Sequence, residues 1–180
     1  RTQFPVAVTL AVTTLLSVVN SAPAQYEPGY TGRVPTDLQV LYDFRSDTGD
    51  IVVDRSKAGT PINLRIADPK AVVRTKGALE VRGKTSIGTE KPPARLLNAV
   101  QKSGVITVEA WIKPANTKQD GPARIVTLSR DPNTRNFTLG QDGDRFDARM
   151  RTTRTSTNGI PSLQTQPRTV TTNKSHVVYS

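Results

Sequence analysis

The apolar residues of this chain come in short runs, and this constrains its fold more than any other feature. Leu38–Phe44, Ile51–Val53, Ile62–Ile66, Ala71–Val73, Ala78–Val81, Val105–Ile112, Arg124–Ser129, Phe137–Leu139, Phe146–Met150 and His176–Tyr179 are separated by Gly, Pro, Asn and Asp. Runs of this length are too short for helices, and turn residues at such intervals mark an antiparallel all-β sandwich. Val, Ile and Thr supply 51 of the 180 residues, and their stiff, branched side chains suit a pleated sheet. One segment has helical spacing instead. Pro92 to Gly104 opens on two prolines, repeats apolar residues at three and four, and ends on Lys102, Ser103 and Gly104. A short helix is expected there, covering one open end of the sandwich.

The first 24 residues read as a segment outside the fold. Arg1 precedes an uncharged apolar run, Phe4 to Val19, and Ala22-Pro-Ala24 follows. A basic start, a short apolar stretch and an Ala-x-Ala site predict a secretory signal peptide cleaved after Ala24. The run falls short of the ~20 apolar residues that span a bilayer, so no membrane span is expected in the mature chain. Residues 25–36, rich in Tyr, Pro and Gly, form a flexible lead-in, and residues 37–180 the domain. The expected location is secreted, either extracellular or periplasmic. The absence of Cys fits export of a chain long enough to build a core without disulfides.

Several chemistries drop out on composition. With no Cys and a single His, the chain has no thiol nucleophile, no iron–sulfur ligands and no multi-histidine zinc site. Enzymes resembling laminarinases carry their two carboxylates in an E-x-D-x-x-E block on one strand, and no two of the four Glu after the leader (Glu27, Glu80, Glu90, Glu109) sit at that spacing. A Ser-His-Asp arrangement would rest on His176 alone, in a strand. Catalysis is not expected.

Net charge is +10, from 25 Lys and Arg against 15 acidic residues. The charge is scattered and no recognition helix or stacking platform accompanies it, so an anionic polysaccharide is a better partner than nucleic acid. Arg145-Phe-Asp-Ala-Arg149-Met-Arg151 alternates, with Phe146, Ala148 and Met150 on one side and Arg145, Asp147, Arg149 and Arg151 on the other. Arg145, Arg149 and Arg151, with Arg154 just beyond, are the candidate ligand-binding residues, since guanidinium forks suit sulfates and carboxylates. A solvated charged face is the competing reading. Asp142 and Asp144 cluster oxygen ligands suited to calcium, but Asp142-Gly143 between two apolar runs also reads as a hairpin turn. Thr152 to Lys174, with eight Thr and no aromatic residue, is expected to be a long loop on the rim.

Leu41-Tyr-Asp-Phe44, Ile51-Val-Val-Asp54-Arg-Ser56, Ile106-Thr-Val-Glu-Ala-Trp111-Ile-Lys-Pro114, Ala123–Ser129, Asn136–Gly140 and His176-Val-Val-Tyr179 follow one another in a recognisable order. Together they resemble the laminin-G-like, concanavalin A-like jelly-roll domains of secreted bacterial proteins. The resemblance implies a jelly-roll sandwich, core packing for Trp111, and calcium at a rim in many members. It also implies further closing strands after His176–Tyr179, so the domain is expected to be incomplete at its C-terminal end. The function expected is a non-catalytic extracellular recognition module for glycans, with a protein-interaction or adhesion module as the alternative. A purely structural domain is the third possibility.

Overall fold

The computed structural model describes residues 37–46 and 48–180. The expected signal peptide and lead-in, residues 1–36, lie outside the described residues. The described strands run in chain order as β1 (Ile51–Val52), β2 (Leu64–Ile66), β3 (Val72–Thr75), β4 (Ala78–Val81) and β5 (Ile87–Gly88), then helix α1 (Ala94–Ser103). They continue as β6 (Val108–Ile112), β7 (Gln119–Ser129), β8 (Arg135–Gly143), β9 (Arg145–Met150), β10 (Leu163–Gln164) and β11 (Ser175–Tyr179). All pairings are antiparallel, in a sheet β1-β2-β5, a sheet β10-β9-β8-β7 and two ribbons, β11-β6 and β3-β4. Among the described residues the protein is all-β with one α-helix, as expected from the short apolar runs.

A single core lies between these sheets. Val52, Leu64, Ile66, Leu79 and Ile87 from the first half of the chain meet Ile112, Leu128, Phe137, Leu139 and Phe146 from the second. Period-two alternation selects them: in β2, Leu64 and Ile66 are buried and Arg65 between them is exposed. Helix α1 begins after Pro93 and ends at Gly104, whose left-handed backbone lets its N–H reach the Val100 carbonyl. Its Leu96 and Leu97 lie on the core.

Leu38–Phe44, expected as a strand, forms no ladder. Leu41 bonds instead to the Asp54-Arg-Ser56 turn, and the Phe44 carbonyl accepts from Gly77 N–H. Leu41 N–H donates to Asp54 Oδ1 at 3.1 Å, and Arg55 N–H donates to the Leu41 carbonyl at 2.8 Å. Asp54 also accepts from Ser56 N–H, Ile62 N–H and the Arg95 guanidinium of α1, so one carboxylate ties the first segment, the turn and the helix together. Burial pushes this carboxyl up, but the N–H donors of Ile62, Ser56 and Leu41 outweigh it and hold Asp54 below the ordinary carboxylate range. Tyr42, whose hydroxyl donates to the Ile62 carbonyl, is held above the ordinary phenol value by burial and then by the Asp54 charge.

Candidate functional site

Strands β8 and β9 form the hairpin expected at Asp142-Gly143, with Gly143 supplying a positive φ of 59°. On β9, Phe146 and Met150 pack with the core, which sends Arg145, Asp147 and Arg149 to the opposite face of the four-stranded sheet. Register then sets that face in rows. Thr127, Thr138 and Arg149 are direct neighbours across β7, β8 and β9, and Gly140, Asp147 and Gln164 across β8, β9 and β10.

Asp147 is fully buried at the centre of this face. Its Oδ1 accepts from Arg149 Nε at 2.9 Å, and its Oδ2 accepts from Ser162 Oγ at 2.8 Å and Gln164 Nε2 at 2.9 Å. Thr127 and Thr138, both without exposed surface, place their hydroxyls 2.7 Å apart. Arg135 enters the same neighbourhood from the start of β8. Its Nε donates to the Pro132 carbonyl at 3.1 Å, while its Nη1 is buried without a hydrogen-bond partner. Burial first, then the charges of Arg124 and Arg149, hold its guanidinium below the ordinary arginine value, and Asp147 only partly opposes them. Arg149 is bonded to Asp147, and Arg135 feels the same carboxylate at longer range.

The segment after β9 straps over this face. Arg135 N–H donates to the Thr157 carbonyl, Thr155 Oγ1 to the Met150 carbonyl and Arg151 N–H to the Asn136 carbonyl. Gly159 takes a φ of +72° against Arg149, where an added Cβ would lie 2.9 Å from the Arg149 Cβ. The stretch expected as a featureless loop thus contains β10, and at its far end Val170 is buried in the core.

The four sequence-derived arginines fall into two groups. Arg149 is 13% exposed at its side chain and bound to Asp147, so it is part of the built face rather than a free solvent group. Arg145 is half-buried at the hairpin, and Arg151 and Arg154 are exposed in the strap. Arg124 and Arg135, which add to the charge of this face, were not legible in the sequence because they come from β7 and β8 rather than β9. Asp142 and Asp144 serve the hairpin: Asp142 Oδ2 accepts from Gln164 Nε2 at 3.4 Å and Asp144 Oδ2 from Arg168 N–H at 2.9 Å. Among the described residues no three His, Cys, Asp or Glu side chains gather as a metal site.

Trp111 is not in the core. Val108, Ala110 and Ile112 of β6 face inward, so period two turns Glu109 and Trp111 outward, and Trp111 is 51% exposed. His176, expected in a core strand, pairs with Trp111 in register and is likewise exposed. The two rings stack with centroids 4.3 Å apart and planes 10° from parallel. Glu109 Oε1 lies 2.8 Å from His176 Nε2.

A cleft of about 340 Å³ opens between Thr48–Asp50, Ile66, Pro69, Val72 and Arg74. Arg74 Nη1 fills its wall, donating to the carbonyls of Thr48, Gly49 and Ile51, and Asp50 pairs with Arg65. Among the described residues no helix is long and apolar enough to cross a membrane. Comparison with protein-family models, with curated proteins and with solved structures finds no match to this chain.

Proposed function

We propose that this protein is an exported, non-catalytic recognition module for acidic glycans, built on a concanavalin A-like jelly-roll sandwich. The observation that carries the reading is the surplus of guanidinium on one sheet face. Arg149 is paired with Asp147, Arg124 and Arg135 add further positive charge beside that pair, and Arg145, Arg151 and Arg154 continue it into the hairpin and the strap. Forked donors in a partly desolvated setting favour carboxylate and sulfate groups. The signal-like residues 1–24 and the cysteine-free composition support an extracellular or periplasmic setting.

Affinity electrophoresis against neutral, carboxylated and sulfated polysaccharides at two salt concentrations tests the proposal. Retardation by the charged polymers should weaken steeply with salt, because exposed charges are screened within roughly 10 Å at 0.1 M. Replacing Arg151 and Arg154 with Ala should reduce it while leaving the melting temperature unchanged, since both are exposed and neither forms an ion pair among the described residues. Retardation by no polymer from a cooperatively folded chain refutes the reading.

A protein partner is the second reading. Strand β10 is the edge of its sheet and Leu163 on it is 67% exposed, an arrangement suited to the addition of a partner's strand.

A further inference from the structure

The outer face of the β6–β11 ribbon is separate from the arginine face. Strand alternation assigns its members. Val108, Ala110, Ile112, Val177 and Tyr179 face the core, where Tyr179 meets Phe137 at a ring distance of 5.2 Å. Glu109, Trp111, His176 and Val178 face away, with Val178 opposite Glu109 and His176 opposite Trp111.

Exposing half of the chain's one Trp forgoes the burial that large aromatic side chains normally contribute to a fold. The ring is nonetheless held in place. The His176 imidazole stacks on it, Glu109 is within hydrogen-bond distance of that imidazole, and Lys174 holds its ammonium 5.2 Å from the indole centroid. His176 and Lys174 lie against the indole and Glu109 holds His176, so a half-exposed aromatic is kept in one orientation. Pre-organisation of this kind lowers the entropic cost of taking a ligand.

The chemistry of the group specifies what it would take. An indole face is electron-rich and attracts the weakly positive C–H groups on the flat side of a pyranose ring. An ammonium on a flexible stem, held over the ring, suits a negative substituent on that sugar. A pyranose carrying a carboxylate, a uronic acid, presents both features at once. We propose that Trp111, supported by His176 and Glu109 and flanked by Lys174, is a stacking subsite for the uronic acid residues of an acidic glycan. This rests on the glycan-recognition reading and adds to it a second contact, on a different sheet, and a class of sugar.

Trp111 reports on its own occupancy, since no other residue contributes indole emission. The full chain is titrated with a polyuronate such as alginate, with dextran and polyglutamate as controls, while indole emission and its quenching by acrylamide are followed. Saturable protection from acrylamide by the polyuronate, and not by the two controls, is the expected result. In affinity gels Trp111→Ala should bind the polyuronate about tenfold more weakly, equivalent to ~1.4 kcal/mol, and Trp111→Phe should retain part of the affinity. Lys174→Ala should narrow the preference for the polyuronate over dextran, with the arginine face supplying what remains. An unchanged melting temperature in each variant separates these effects from unfolding. Retardation by polyuronate with unmoved emission overturns the subsite and leaves the glycan reading standing, whereas neither response overturns both. Equal protection by polyglutamate overturns the sugar assignment in favour of an acidic peptide.

Discussion

Replacing Asp147 with Asn would remove one charge from the centre of the arginine face and turn the oxygen that accepts from Arg149 into an N–H donor. The side chain keeps its shape and can still accept from Ser162 and Gln164, but Arg149, 13% exposed at its side chain, loses its counter-ion. Arg135, already buried with Nη1 unpartnered, loses the only carboxylate that offsets Arg124 and Arg149. Removing one partner of a buried ion pair costs about 3–5 kcal/mol, because the remaining charge stays desolvated. The lower figure applies here, since the amide retains two hydrogen bonds. For a domain of this size, ~3 kcal/mol corresponds to a fall of roughly 6–12 °C in melting temperature. It is also a large share of the 5–15 kcal/mol typical of a whole domain. Urea unfolding at neutral pH, followed by circular dichroism, measures the loss directly. The double replacement Asp147→Asn with Arg149→Gln should recover at least ~1 kcal/mol, since it removes one of the stranded cations. A loss below ~1 kcal/mol, the range of exposed ion pairs, would refute the reasoning. Equal stability of the single and double variants would show that Asp147 does not offset Arg149.

Two further outcomes follow from groups outside that face. Asp54 is held below the ordinary carboxylate range in the folded chain, so it contributes stability above the unfolded value near pH 4 and that contribution is lost as pH falls further. Asp54→Asn should therefore be less stable at neutral pH by ~2 kcal/mol and should show a flatter decline on acidification; an acid limb as steep as that of the parent would contradict the assignment. Gly140→Ala should cost ~1–3 kcal/mol in urea unfolding, because a Cβ there would lie 2.8 Å from both the Ala123 carbonyl oxygen and the Pro122 Cβ on the neighbouring strand. A neutral result would mean that β7 moves aside freely.

What the sequence determined by itself was local. Alternation along Phe146–Met150, the glycine of the β8–β9 turn, and the prolines and glycine that bound Ala94–Ser103 each act within a few residues, so their signals stand beside the structure they produce. The all-β class followed because strands and turns are specified over such distances. Leu38–Phe44 misled as a strand because Leu41 N–H finds its acceptor on the Asp54 carboxylate, 13 residues away, rather than on a neighbouring strand, which no local pattern announces. Tertiary structure alone decided the two candidate sites. Arg135 and Arg149 meet around Asp147 only because β8 and β9 pair in one register, and Glu109 meets His176 across 67 residues. Trp111 shows the limit most plainly. Its strand was legible, but its side depended on which neighbours, even or odd, the core accepted. Once Ile112 was buried, period two left the indole in solvent beside the His176 ring that stacks on it.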